Sequence, residues 1–436
     1  MTAQSASAPA PAPARHSGSF LAYGYVTSLF FAWGFVTSLI DPLIAAVQRV
    51  FDLTRAEAML TASAWFIAYG LASLPAAWLL SKLGYSRAII AALGAMVLGC
   101  LVVPLATLLD TYVLVLGALF IIASGVTLLQ VAANPLSAAL GSPKTAHLRL
   151  TFSQAFNSLG ATLGPVIGST VLLTGGVFAA DAVITASTRN ESLRSIDFAF
   201  LAVGAFFTVV AVFIWSARKR IDASVERKAS DGAASPFSAL TSRWAVFGCV
   251  ALFFYVGAEV TIGALLIPFI SSPEGLGVEP HEAGHMVGWY YWGAAMVGRF
   301  VGSLLLTRVR AGVLLSICTV VAACLALVVT QSSGATAAYA ALAIGFFNSI
   351  MFPTIFSLTL ERSSATASAT SGLLVFGIIG GAVLPPVAGL ISDRVEAITP
   401  AFVVPLIGYL VLVVFAVACA RTRPLNSDPP EPVSAH

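Results

Sequence analysis

The chain has 436 residues, 58% of them hydrophobic and 9% charged, with a net charge of +3 and a mean hydropathy of +0.93. A soluble domain carries about 25% charged residues, so no water-soluble fold could hide this much apolar surface. The composition excludes a soluble enzyme or a nucleic-acid-binding domain and requires a polytopic protein in the lipid bilayer. The five cysteines (Cys100, Cys249, Cys318, Cys324, Cys419) all lie inside apolar runs. They read as small packing residues and not as a disulfide framework or a metal knuckle.

Residues 1–19 are Ala/Pro/Ser-rich and lack the layout of a removed signal peptide. They are expected to form a disordered tail ahead of a retained first span. About 20 apolar residues cross the hydrocarbon as a helix. That ruler predicts twelve spans: 20–48, 56–80, 88–108, 112–140, 147–174, 196–217, 244–271, 283–307, 312–330, 335–360, 366–391 and 399–420. The long polar stretch between spans six and seven divides them into bundles at 20–217 and 244–420, with a linker at 218–243 and a tail at 421–436. Placing the N-terminus in the cytoplasm puts sixteen basic residues inside and five outside, with Arg299 in a span completing the 22. Both termini are therefore expected to be cytoplasmic.

Span one contains "FVTSLIDPLIA", Phe35 to Ala45. Asp41 is a carboxylate in an apolar run, and Pro42 disfavours helical geometry there and removes a hydrogen bond. Together they suggest a cation or hydroxyl site that can be protonated reversibly, or a residue near the outer end that reaches water. On span four, Gln130 and Asn134 are i,i+4. On span five, Gln154 and Asn157 are i,i+3, so each pair shares a face. Gly160, Gly164 and Gly168 form a ridge for close helix packing. Span seven carries Glu259 in "YVGAEVTIG", read as a substrate acceptor, a second titrating site or a structural partner. The start of span eight reads "HEAGH", which satisfies the H-E-x-x-H zinc signature with His281 and His285 as ligands and Glu282 as base. Its placement beside Pro280, with Gly284 inside it and no third ligand, favours a polar helix start. "WYYWG", Trp289 to Gly293, could stack on a ring or simply pack. Arg299 is expected to reach the interface or to pair with Glu361 at the inner end of span ten. Asn348 stands on span ten.

The halves repeat. "LFFAWGFVTS" (Leu29–Ser38) aligns with "LFFYVGAEVT" (Leu252–Thr261), "QVAANP" (Gln130–Pro135) with "NSIMFP" (Asn348–Pro353), and "GATLGPVIG" (Gly160–Gly168) with "GGAVLPPVAG" (Gly380–Gly389). Parallel six-span repeats place a substrate site between the halves near the midplane. Five neutral amides there suit a ligand rich in hydroxyls.

"FFAWGFVTSLIDPLI", "SGVTLLQVAANP", "RLTFSQAFNSLGATLGP", "LFFYVGAEVTIG", "YYWGAAMVGRFVGSLL" and "IGFFNSIMFPTIFSLTLE" carry a family signal. Over about residues 20–420 the chain resembles the fucose-permease family of major-facilitator sugar transporters, most of all its bacterial glucose/galactose branch. The resemblance implies an all-α major-facilitator fold of twelve transmembrane helices in two six-helix pseudo-symmetric bundles. It also implies alternating access and cation-coupled hexose uptake across a bacterial inner membrane. Fucose permeases carry acids matching both Asp41 and Gln130. Here the second is an amide, as is usual in the glucose/galactose branch, which questions a two-carboxylate relay. Asp41 is left as the main coupling residue, Gln130 becomes a sugar contact, and sodium stands beside the proton as coupling ion. Glu259 matches the branch's "YVGAEV", and the family's usual start to span eight lacks paired histidines.

The expectation is a symporter for a neutral monosaccharide that works as a monomer without a cofactor. Gln130, Asn134, Gln154, Asn157, Glu259 and Asn348 bind the sugar, Asp41 couples the ion, and Arg299 and Glu361 are structural charges. The alternatives are a facilitator or exporter of another neutral polar solute, such as an amino sugar, and a membrane zinc metalloprotease on HEAGH.

Overall fold

The computed structural model describes residues 16–38, 55–172, 185–224 and 235–425. Among them every regular element is helical and there is no strand, as hydrocarbon requires of a chain whose backbone groups must be satisfied within each span. The first six helices form one lobe: α1 (His16–Thr37), α2 (Arg55–Leu83), α3 (Tyr85–Leu108), α4 (Tyr112–Ala139), α5 (Ala146–Leu172) and α6 (Ala186–Ser224). The second lobe begins with α7 (Arg243–Ser271). α8 follows in three joined pieces, Pro280–Met286, a π-helical Val287–Gly293 and Ala294–Leu305. Then come α9 (Ala311–Gln331), α10 (Gly334–Asn348 and Met351–Arg362), α11 (Ala367–Val395) and α12 (Thr399–Arg421). Ten of the described helices are long and apolar enough to cross a membrane. Two spans depart most from expectation, and the sixth helix already starts at Ala186, ten residues ahead of the expected span. α6 continues through Arg218, Lys219 and Arg220 to Ser224, because a helix needs no apolar residues once it leaves the bilayer. The eighth span is interrupted by the π-helical turn over "VGWYYWG".

In the first lobe α3 packs on α4 and α6, and α1 packs on α5. The glycine ridge explains the second contact: a Cβ at Gly160 would strike the Phe31 carbonyl, and one at Gly164 the Ser38 hydroxyl. In the second lobe α7 packs on α11 and α12, and α9 on α10 and α12. The lobes meet through α2 against α11 and α5 against α8. These contacts are one contact made twice, since α2 and α8, and likewise α5 and α11, occupy equivalent places in the repeat. We call the end bearing the α2–α3, α4–α5, α8–α9 and α10–α11 turns the linker face, because the α6–α7 connection also lies there. Near it Phe152 of α5 meets Phe300 of α8 edge-on at 6.2 Å. At Gly372 of α11 the backbones come so close that a Cβ would lie 3.0 Å from the Ser73 carbonyl of α2.

Candidate functional site

The site is built around two prolines at equivalent repeat positions, Pro135 in α4 and Pro353 in α10. A proline within a helix has no N–H and leaves the carbonyl four residues earlier without its partner. Those carbonyls belong to Val131 and Ser349, and both find other donors. The Ser371 hydroxyl of α11 donates to Val131 O at 2.7 Å, across the lobe boundary. Arg299 Nε of α8 donates to Ser349 O at 3.0 Å, within its own lobe. One residue before each freed carbonyl the same pairing of side chains recurs: an amide at the fifth position ahead of the proline bonds a tyrosine. Gln130 Nε2 donates to the Tyr69 hydroxyl of α2 at 2.9 Å, and Asn348 Nδ2 to the Tyr291 hydroxyl of α8 at 3.2 Å.

In the first lobe the neutral amides cluster as their spacing predicts. Gln130, Asn134 and Gln154 are all buried, and Gln154 Nε2 donates to Asn134 Oδ1 at 3.2 Å. Asn134 Nδ2 is a buried donor with no partner among the described residues. An unmatched buried donor costs about 1–3 kcal/mol, so this amide is available to a ligand acceptor. Asn157 lies one turn further along α5 and turns to α1, donating to the Phe30 carbonyl at 3.0 Å. Asp41 lies outside the described residues.

The second lobe has a different character. The Tyr255 hydroxyl lies 2.8 Å from Glu259 Oε1 and 3.1 Å from the Asn348 carbonyl. Tyr409 of α12 donates to Asn348 Oδ1 at 2.7 Å. Asn348 thus has a tyrosine on its amide nitrogen, another on its amide oxygen and a third at its backbone carbonyl. The π-helical turn orients these groups: it leaves Trp289, Tyr290 and Trp292 exposed while Tyr291 is buried at 1% exposure. Such turns re-aim side chains and recur at functional sites.

The expected Arg299–Glu361 pair is not formed. Ser349 and Glu361 are twelve residues apart, about 18 Å along a helix, and the freed Ser349 carbonyl holds Arg299 at the near end. Glu361 is instead bonded to His147 of the opposite lobe at 2.9 Å and to Arg362 at 3.4 Å. Within HEAGH, Glu282 and His285 are exposed, and the His281 side chain lies outside the described residues. Among the described residues no three His, Cys, Asp or Glu side chains gather as metal ligands.

Sequence reasoning singled out the amides and Glu259, reached Tyr291 only within the aromatic run "WYYWG", and did not name Tyr69, Tyr255, Tyr409 and Ser371. Two signals could have found some of them. Tyr255 and Glu259 are i,i+4 on one helix, and Tyr69 and Tyr291 occupy matching places in the two halves.

The sequence profile of the Major Facilitator Superfamily matches residues 26–373. A glucose/galactose transporter of Brucella abortus is 40% identical over 391 residues, covering 89% of this chain and 92% of that protein. An L-fucose-proton symporter of Escherichia coli is 30% identical over 412 residues, covering 91% and 92%. Among solved structures, the transporter FucP in the outward conformation superposes with a TM-score of 0.81 at 27% identity, covering 93% of this chain and all 100% of that one.

Proposed function

The chain belongs to the Major Facilitator Superfamily, and from that membership we propose that it imports a neutral monosaccharide of the glucose/galactose type by proton symport. It is a multi-pass membrane transporter and not an enzyme, which sets the metalloprotease alternative aside. The single observation that carries the reading is the pairing of neutral amides with tyrosines at matching points of the two lobes, in a chain so similar to glucose/galactose transporters. Amides and phenols both donate and accept, which suits the alternating hydroxyls of a sugar ring.

In this reading the sugar lies between the lobes. Gln130, Asn134 and Gln154 meet it from one side, with Asn134 Nδ2 supplying an unused donor. Asn157 completes that side, held against α1. Glu259 and the tyrosines meet it from the other, with Asn348 fixing Tyr291 and Tyr409 in place. Asp41 carries the coupling proton. Neutralising it permits the loaded carrier to reorient, whereas an ionised empty carboxylate resists crossing. The lobes are joined at the linker face, which supports an outward-open state with that face and both termini in the cytoplasm. The bacterial relatives support a plasma-membrane location, and each monomer contains a whole pathway.

Proteoliposome uptake tests this, using labelled hexoses with imposed proton or sodium gradients. Glucose or galactose should accumulate under a proton gradient. Asp41→Asn should abolish uphill accumulation while exchange between equal pools survives. Uptake driven by sodium alone would overturn proton coupling, and an Asp41→Asn variant that still concentrates sugar would overturn the assignment of Asp41.

A further inference from the structure

The first turn of α5 carries a histidine that the transport reading leaves unused. His147 touches two residues of the other lobe at once. Its Nδ1 lies 2.6 Å from the Ser357 hydroxyl, and its Nε2 lies 2.9 Å from Glu361 Oε1. Ser357 and Glu361 are i,i+4 on α10 and so share a face. The His147 side chain is 15% exposed and that of Glu361 26%, so the bridge is sheltered but within reach of water at the linker face.

The hydrogen bonds around the ring accommodate its doubly protonated state. A neutral imidazole has one donor and one acceptor, and only imidazolium donates from both nitrogens. A carboxylate accepts only, so Nε2 must donate to Glu361. Ser357 has one hydroxyl proton, and the Pro353 carbonyl lies 2.7 Å away to take it. With the hydroxyl proton on that carbonyl Nδ1 donates as well, whereas a hydroxyl turned toward Nδ1 serves the neutral ring; the Glu361 carboxylate at Nε2 favours the charged one. The neighbouring charges favour the same state. From α10, Glu361 faces the ring with Oε1 and takes a longer contact from Arg362 on Oε2 at 3.4 Å, while Arg362 donates mainly to the carbonyls of Leu358, Cys419 and Thr422. On the ring's own helix, Arg149 is turned back onto the carbonyls of Ser137, Ala138 and Ser142 that end α4, and Lys144 precedes it, exposed. From α8, Arg299 is held at Ser349. From α1, Tyr23 donates to the Arg149 carbonyl, and Asp222 at the end of α6 accepts from Ser86.

We propose that His147 is a second proton-binding site, distinct from Asp41, whose protonated ring latches the two lobes at the linker face and gives its proton to water when that face opens. The latch goes beyond the symport reading and rests on it only for the idea that the lobes separate here. The sign follows from linkage. The closed face binds one more proton than the open face, so acid on that side favours closure and rising pH favours opening. The response is limited to about tenfold per pH unit for one linked proton.

Spin labels at Lys82→Cys and Arg308→Cys, on exposed points of the two lobes, read the opening of the linker face in a cysteine-free background without any sugar. The open fraction should rise with pH in the parent and lose its pH dependence in His147→Gln, an uncharged variant that can still hydrogen-bond. Glu361→Gln should favour opening at every pH. Selective labelling of imidazole nitrogens in the parent should find His147 doubly protonated under conditions where the face is closed. A pH response retained in His147→Gln, or a neutral His147 in the closed state, would overturn the latch. The labels report gating whatever the solute, so failure of the sugar reading in the uptake assay leaves this result standing.

Discussion

Gln130-to-Pro135 and Asn348-to-Pro353 are the same device in two lobes, put to different ends. Each has an amide bonded to a tyrosine and a proline that frees a carbonyl. In the first lobe the amides are neutral, and Asn134 keeps an unmatched donor. The Val131 carbonyl there is held by a serine that belongs to the other lobe. In the second lobe the amide is bonded by a tyrosine at its nitrogen and another at its oxygen, and the freed carbonyl is held by Arg299 of the same lobe. The difference teaches which bonds travel with a rigid body and which must break. Those around Asn348 are internal and can survive a rocking motion, whereas Ser371–Val131 cannot persist if α4 and α11 part.

The largest effect should come from removing the amide held at both ends. Asn348→Ala leaves the Tyr291 and Tyr409 hydroxyls buried without their partner, at about 1–3 kcal/mol each, and should sharply reduce the yield and thermal stability of folded protein. Gln130→Ala strands only the Tyr69 hydroxyl, so its thermal shift should be about half as large while sugar uptake is lost. Equal thermal shifts with equal loss of uptake would erase the proposed division between lobes. Arg299→Met removes a charged donor from Ser349, costing about 1.5–3 kcal/mol. It should lower stability while leaving the open fraction of the linker face unchanged.

Ser371→Ala should do the reverse. It removes one neutral bond between lobes, about 1 kcal/mol, and should shift the linker face toward opening by roughly fivefold with little change in thermal stability. Spin-label distances across that face check it. A Ser371→Ala variant as closed as the parent would mean that the Val131 bond does not help hold the lobes together.

The repeat made much of this readable. Twelve apolar stretches give twelve spans because lipid permits little else, and an amide and a proline at one repeat offset fall at equivalent structural points. Arg299 shows the limit. Its sequence position fits either a distant carboxylate or a nearby carbonyl, and only the geometry of Pro353 shows that the carbonyl is within reach. His147 shows another, because nothing near it in sequence announces Ser357 and Glu361, 210 and 214 positions away. Tyrosines in apolar spans look like packing residues until the partner of each hydroxyl is known. Hydropathy finds the helices, but which polar groups meet depends on helix rotation, which it does not report.

The smallest effect lies at the opposite face of the second lobe. Glu274, in the α7–α8 connection, accepts from the backbone amides of Ile398 and Thr399 and from the Thr399 hydroxyl, satisfying orphan donors where α12 begins. Partial burial pushes its carboxyl up, but the bonds from Thr399 and Ile398 outweigh this and hold it below the usual carboxylate range. A depressed carboxyl contributes stability that is fully present above its unfolded value and is lost as pH falls through its folded one. Glu274 is half-buried at a loop within reach of water, so screening limits the contribution to under about 1 kcal/mol. Glu274→Gln should therefore lower thermal stability slightly at neutral pH and approach the parent in acid below the carboxylate range. Because this bond lies within one lobe, it should leave the linker-face distances untouched, unlike Ser371→Ala. A Glu274→Gln deficit that persists undiminished in acid would show that the carboxylate's charge is not what secures the start of α12.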